Sequence, residues 1–480
     1  MTNIPTNKLQ PVPKELKNSI ILIQDLEKKA SISSIIKRGS SEQINAIWQK
    51  GIRQYNLVID DPSRLYADES NHKDSFSLKL EKHLVKFKQP FVSSWSGNKA
   101  MGAISAIQSD NFTHTSPNIN RVFIPLPLEM KPDFTFAISA FPVLFSIGNN
   151  ITCTYGIKVN LARKSFLMYV ATDHTSKPTY KYLILECEQK LSEKFFHEYC
   201  YSILLSFGFI TGELILNEGY FMQYDQKDMI HPVHFAYTRL RSSISCSYVP
   251  VYTNPYGWLH DAKLHNLYKN KVRLISSNEF AELCRLVHTE NDYKGVLLLI
   301  LETASVSLVS SPANLAVALE SLAGLMEKEN EKAFSVIDKS IFKRMRKDLV
   351  VTMMKYQGEI GVSGAKYLTN KLNSLNQVTN RDKLLIPFKI LGITLNEKDV
   401  FAIEQRNAFL HGTHPLIETP KGRLRDKSDG LRYFLFLKLY TLISAILLKK
   451  IGYDNLIVNY PKIYEKETKI KLNEDQYRQI

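Results

Sequence analysis

The stretch NEKDVFAIEQRNAFLHG, residues 396–412, decides how the last part of the chain is read. Its apolar residues recur at helical spacing, and both of its ends are marked. Asn396 can cap the start, and Glu397 and Asp399 sit in the first turn, where the positive end of the helix dipole favours carboxylates. Gly412 stands where glycine commonly stops a helix. His411 then lies in the last turn, near the negative end of the dipole, a position that favours the imidazolium. Counting about 100° per residue from Val400, Glu404 falls near 40°, Asn407 near 340° and His411 near 20°, on one narrow polar face. Asn407 and His411 are i and i+4, within hydrogen-bond reach, so Asn407 can orient the ring. Arg406 falls near 240°, among Ala402, Ile403, Phe409 and Leu410. A guanidinium in an apolar arc needs a carboxylate or an interface, because burying an unpaired charge is expensive. Glu320 and Glu302, on two other apolar helices, are the candidate partners.

The helical pattern extends outward from this stretch. SNEFAELCRLVHTE, YKGVLLLILETASVSLVS, SPANLAVALESLAGLMEKENEK and SIFKRMRKDLVVTMMKYQ precede it, the third entered by Ser-Pro. GLRYFLFLKLYTLISAILLKKIG follows it. Five or more helices with short connections predict an all-α bundle over residues 277–480. Residues 246–276 read as an ordered connector. Upstream, over 86–245, the signal is β-rich. RVFIPLPLEM, DFTFAISAFPVLFSIG, YGIKVNLA, KSFLMYVATD and YKYLILECE are short, rich in Val, Ile, Phe, Tyr and Thr, and mostly bounded by Pro, Gly or Asn. Phe134, Phe136 and Ile138 alternate as a strand would. SEKFFHEYCYSILLSFGFITG predicts a helix closed by glycine and packed on that sheet. The first 85 residues read as a helical segment, from LKNSIILIQDLEKKASISSIIKRG and SEQINAIWQKGIRQYN, with DDPSRLYADESNHKD as a polar loop. The expected class is α+β and multidomain: a β-rich N-terminal domain with flanking helices, then a helical bundle.

Composition narrows the function. With 480 residues, 44% hydrophobic and 23% charged, the chain is a folded protein of more than one domain. Its 62 Lys and Arg against 47 Asp and Glu give a net charge of +15, a field that attracts polyanions. Cys153, Cys187, Cys200, Cys246 and Cys284 form no CxxC pair, and an odd count is a poor disulfide framework. A reducing, cytoplasmic setting fits. The start of the chain lacks the features of a secretory signal. Two apolar segments, GVLLLILETASVSLVSS and YFLFLKLYTLISAILLKK, are broken by Glu302 and Lys438 and read as buried helices, so no membrane is expected. GEIGVSGAK lacks phosphate-loop spacing, and there is no GxGxxG or GxSxG. His231 and His234 form HPVH with no accompanying CxxC or HExxH. Neither a metal nor a cofactor is expected.

An Arg and a His four residues apart occur on many solvated helices. Here the polar face at a helix end, the Arg inside an apolar arc and the basic loop PKGRLRDKS set the pair apart. That loop carries Lys421, Arg423, Arg425 and Lys427 and is suited to a phosphate backbone. A second cluster, Lys339, Lys343, Arg344, Arg346 and Lys347, reads on its own as a solvated helix face.

EQRNAFLHG resembles the R-x4–6-H motif of the HEPN superfamily, in the form with a polar residue directly after Arg that its ribonucleases carry. Its context is similar too: a long apolar helix (Leu297 to Leu308), a second with ALESL (Ala318 to Leu322), the motif helix and a long closing helix. The region 280–480 is similar to the HEPN domain of ApeA-like anti-phage defence proteins. LLSFGFITGELILNEGY, with the β-rich region before it, resembles their N-terminal domain. The resemblance implies a metal-independent endoribonuclease acting as a homodimer through the HEPN domain, with motif helices facing across a composite cleft and higher assembly left open. It implies that Arg406 stabilises charge on the scissile phosphate, that His411 moves a proton, and that Asn407 orients His411 or the phosphate. Attack by the 2′-hydroxyl would leave 2′,3′-cyclic phosphate and 5′-hydroxyl ends. The N-terminal domain would sense infection, through a phage-encoded trigger, or restrain the nuclease. Transfer RNA suits a basic cleft with few base-reading motifs, with messenger and ribosomal RNA also open. Glu404 and His414 lie nearby without an assigned role. The competing expectations are a non-enzymatic RNA-binding or interaction protein and a HEPN-like nucleotidyl-transfer toxin component.

Overall fold

In the computed structural model the described residues are 13–37, 43–51, 55–60, 75–80, 83–88, 91–96, 98–110, 112, 119–130, 134–241, 243–246, 248–252, 271–419, 422–425, 429–469 and 471–480. The chain forms two units. The first comprises Met1–Ser245 with Ile275–His288, and the second Cys246–Leu274 with Thr289–Ile480. A large β-sheet dominates the first and helices dominate the second, so the protein is α+β.

In the first unit the sheet begins where Lys14–Glu15 pairs in parallel with Phe141–Ile147. An antiparallel meander continues through Asn150–Leu161, Lys164–Asp173 and Tyr180–Leu191. Ile119–Pro125, Glu218–Tyr224 and Pro232–Arg239 extend it, and Ala106–Ser109 joins it to His83–Lys88. Helix α1 (Lys17–Glu27) buries Ile20, Ile23 and Leu26 in the core of this unit. The predicted helix closed by glycine is α2 (Glu193–Thr211), with Gly212 at φ +76°. Its Phe196 packs on Phe166 and Phe221 at ring-centroid distances of 6.1 Å.

Two expectations for this unit are corrected. The helical reading of residues 1–85 holds only for α1. Ala30–Lys37, Gln43–Lys50, Tyr55–Asp60, Ser75–Leu80 and His83–Lys88 are strands of the sheet. The physical reason is a period of two: Ala46 and Trp48, then Tyr55, Leu57 and Ile59, then Phe76, Leu78 and Leu80 are buried while the residues between them are not. Most of the loop expected at DDPSRLYADESNHKD lies outside the described residues. Phe134–Ile138 is a turn rather than a strand, closed by Ile138 N–H donating to Phe134 O at 2.8 Å. Phe134, Ala137 and Ile138 are buried, and their i, i+3, i+4 spacing belongs to a helical turn.

Helix α3 (Ser277–Thr289) buries Phe280, Leu283, Cys284, Leu286 and Val287, and its residues up to His288 pack with the first unit. His288 stacks on Tyr199 at 4.4 Å. The second unit holds α4 (Asn291–Thr303), α5 (Ser311–Glu329), α6 (Lys339–Lys355), α7 (Gln357–Ser374), α8 (Asn380–Ile390), α9 (Glu397–Glu404), α10 (Arg406–Leu410), α11 (Asp429–Lys450) and α12 (Pro461–Thr468). The all-α expectation is amended by two small antiparallel sheets, Leu416–Thr419 with Gly422–Arg425 and Leu456–Val458 with Tyr477–Gln479. Among the described residues, α11 alone is long and apolar enough to cross a membrane. Its residues Phe434–Leu448 are buried inside the protein, as expected of a core helix. The apolar segment of α4 is likewise a core helix, with Val296, Leu297, Ile300 and Leu301 buried.

Candidate active site

The site is built where α10 meets α5. Ser-Pro starts α5, whose Leu315, Leu319 and Leu322 turn into the core while Glu320 stays at the surface. Arg406 opens α10, and its Nε donates to Glu320 Oε1 in an ion pair; the guanidinium side chain is 16% exposed and the carboxylate side chain 34%. Ala402, Ile403 and Phe409 are buried around it, while Leu410 is exposed. Glu320 is thus the carboxylate that Arg406 faces. Glu302, at the end of α4, is exposed, and no side-chain contact joins it to Arg406.

The single helix expected over 396–412 is corrected to two, with Gln405 between α9 and α10 at φ −70°, ψ −8°. The Gln405 carbonyl accepts from both Ala408 N–H at 3.0 Å and Phe409 N–H at 3.3 Å, which tightens the turn toward 3₁₀ geometry. Downstream, α10 ends in a complete Schellman motif. Thr413 N–H donates to Ala408 O at 2.7 Å, Gly412 N–H donates to Phe409 O at 3.1 Å, and Gly412 sits at φ +63°. His411 is the C-cap, so its position is set by a backbone lock on one side and by Arg406 and its ion pair on the other.

Asn407 and His411 are both exposed. The hydrogen bond between them is a backbone one, His411 N–H to Asn407 O at 3.2 Å. Among the described residues neither the Asn407 amide nor the His411 ring has a side-chain partner, so the ring is not held by Asn407 as the i, i+4 spacing predicts. The two groups lie open to solvent beside a guanidinium that is mostly covered.

Neighbouring charges are spoken for. Glu404 accepts from Arg381 Nε of α8 at 2.6 Å. His414 Nδ1 faces the Arg432 guanidinium, which also contacts Asp429 at 3.2 Å. Because Arg432 can only donate, this His414 nitrogen accepts, which leaves His414 a ring neutral on that side.

The support behind the site is a buried charge network that sequence reading missed. Asp399 and Asn396 form a full capping box, each donating its backbone N–H to the other's side chain at 2.9 Å. The same Asp399 carboxylate meets Lys438 of α11 at 2.9 Å and Arg478 at 2.9 Å, and both Asp399 and Lys438 are fully buried. Lys438 approaches Oδ1 without the direction of a hydrogen bond, an ionic contact only. Its second partner is Glu474 at 2.8 Å. Burial pushes the Asp399 carboxyl up, but the Arg478 hydrogen bond and the Lys438 and Arg478 charges outweigh it and hold the pKa below the usual value. The one sequence signal was Lys438 itself, a charge in the middle of an apolar helix.

Other candidate residues fall elsewhere. PKGRLRDKS is a β-hairpin rather than a loop: Arg423 and Arg425 lie on its second strand, opposite Glu418 and Leu416. Lys421 and Lys427 lie outside the described residues. Lys339, Lys343, Arg344, Arg346 and Lys347 are on α6. His231 and His234, in the first unit, contact Asn18 at 3.1 Å and Ser109 at 3.5 Å. No cluster of three or more metal-ligating side chains occurs among the described residues. The five cysteines are free thiols, four of them buried.

Compared with family models, with curated proteins and with solved structures, the chain gives no match.

Proposed function

We propose that this chain is a HEPN-type endoribonuclease of anti-phage defence, resembling the ApeA-like proteins, that works in the cytoplasm. The observation that carries the reading is the placement of Arg406, Asn407 and His411: one covered guanidinium held by Glu320, and two open polar groups at a locked helix end. Arg406 stabilises the charge that develops on the scissile phosphate. The ribose 2′-hydroxyl attacks phosphorus and the 5′-oxygen leaves, giving a 2′,3′-cyclic phosphate and a 5′-hydroxyl. His411 takes the proton from the nucleophile or gives one to the leaving oxygen, and a homodimer that brings two His411 rings into one cleft fills both roles. Asn407 orients the phosphate. No metal or cofactor enters this path. The first unit senses a phage-encoded trigger or restrains the second; this regulatory part rests on architecture and analogy.

The test is cleavage of total RNA by wild type and by Arg406→Ala and His411→Ala, with RNA ends sequenced. We expect cyclic-phosphate ends from wild type, in transfer, messenger or ribosomal RNA, and a loss of at least 100-fold in each variant. Full activity in both variants, or equal cutting of DNA, overturns the assignment. The Arg406–Glu320 pair also suits a second reading, an RNA-binding protein in which Arg406 serves packing. Binding that survives both substitutions, with no cleavage by wild type, selects that reading.

A further inference from the structure

Helices α6 and α7 form a hairpin that stands apart from the rest of the second unit. Its base is clamped: Ile337 N–H donates to Asn376 Oδ1 at 2.8 Å, Asn376 Nδ2 donates to Ile337 O at 3.0 Å, and Val336 N–H donates to Asn376 O at 3.0 Å. Asp338 caps α6 by accepting from Ser340 N–H at 2.8 Å. Yet none of the side chains of α6 is buried, and among the described residues the element it packs on is α7.

The pattern along α6 explains this. Phe342, Arg346, Val350 and Met353 are half-buried, at the i, i+4, i+8, i+11 spacing of a helix–helix seam, and they line the side toward α7. Beside that seam runs a second apolar stripe. Ile341, Met345, Leu349 and Tyr356 are 48, 39, 37 and 54% exposed, and the spacing of 4, 4 and 7 puts them on one face. A helix with two adjacent apolar stripes is built for a bundle of more than two helices. One stripe is covered and the other is not.

We infer that the uncovered stripe packs on the same stripe of a second copy of this chain, the two hairpins closing a four-helix bundle about a twofold axis. A twofold interface needs one self-complementary patch on each copy, which a single stripe supplies. With ~150–250 Å² per large side chain, the exposed apolar residues of the hairpin leave roughly 1,000 Å² uncovered, enough for the ~800 Å² that each partner of a standard interface contributes. A membrane surface is a poorer occupant: interfacial helices present Trp, Phe and Leu, whereas this hairpin has no Trp and its exposed stripe has no Phe. A nucleic-acid backbone is poorer still, because the stripe offers one hydroxyl and no cation. Lys343, Arg344 and Lys347 occupy the opposite arc of α6.

Charge sets a signature. Residues 339–375 carry eight Lys and Arg against two Asp and Glu, so two hairpins repel at low salt. Added salt screens that repulsion and strengthens self-association, whereas binding of RNA or anionic vesicles weakens with salt. The experiment is the mass of the full-length protein by light scattering, at low salt and at ~0.5 M salt. We expect Met345→Glu with Leu349→Glu to halve the mass of the wild-type particle with the circular dichroism spectrum unchanged. Met345→Ser with Leu349→Ser should do the same without adding charge. We also expect wild-type association to be no weaker at high salt. Because α10 is untouched, halving is expected whether or not the protein cuts RNA. A particle mass equal to wild type in both variants overturns the inference. So does association that salt abolishes, or a stripe that instead confers salt-sensitive binding to vesicles or RNA.

Discussion

Arg406 sits between two demands. Its ion pair with Glu320 keeps a mostly covered guanidinium satisfied, and its proposed task needs that charge at a phosphate. A pair with one partner a third exposed contributes about 0.5–1 kcal/mol, so Glu320→Gln should lower the melting temperature by only a few degrees. Arg406→Lys keeps the charge but loses the planar fork; we expect cleavage to fall at least tenfold while the melting temperature moves little, read by RNA cleavage beside a thermal melt. Gly412 is a further single-residue lever. A Cβ there meets no atom within 4 Å, so the cost of Gly412→Ala is its φ of +63° alone. That is about 1 kcal/mol, with a further loss of cleavage as His411 shifts at the helix end. At this scale the sequence was informative. The helical wheel identified Arg406 as a charge needing a partner and named Glu320, because α5 shows one polar residue within an apolar run. It did not show that Asn407 leaves the His411 ring unheld, since i, i+4 spacing permits a side-chain contact without requiring it.

At the scale of elements, α9 and α11 are joined by Asp399 and Lys438. Removing one partner of a buried pair leaves the other uncompensated, so Lys438→Met should destabilise by about 3–5 kcal/mol, read as a shift in the urea midpoint. The pH dependence follows from the depressed pKa of Asp399. A carboxyl whose folded pKa lies below its unfolded value contributes stability that is present above the unfolded pKa and is lost as pH falls through the folded one. The stability gap between wild type and Asp399→Asn should therefore be full at pH 6 and narrow below about pH 4, as urea melts at both pH values will show. The elements differed in how well they could be read. Long apolar helices such as α5 and α11 declare themselves, and so does the Asn396 cap. The break at Gln405 does not, because its backbone stays in the helical region and only a shared carbonyl tightens the turn. The strands before residue 85 were hidden because runs such as SISSIIK satisfy a loose helical spacing as well as a period of two. The network of Asp399, Lys438, Glu474 and Arg478 was hidden for a different reason: its members are brought together only by tertiary packing.

For the whole molecule, the order in which the chain visits its units matters. It leaves the first unit after Ser245, returns for Ile275–His288 and leaves again. Five buried side chains of α3, at about 1.5–3 kcal/mol each, amount to most of the stability of an ordinary domain. A fragment of residues 1–288 should therefore melt cooperatively, and one of residues 1–245 should not, as calorimetry would show. The second unit depends in the same way on its early segment. Tyr460 Oη donates to Val249 O at 2.8 Å, and Val458 N–H donates to Pro250 O at 2.9 Å. On the ribosome this threading becomes a schedule. The first unit has all its residues once α3 has been made, while Val249 and Pro250 wait for partners near residue 460, close to the end of synthesis. Since nascent domains fold as they emerge, the unit proposed to cut RNA is assembled last, after the unit proposed to restrain it.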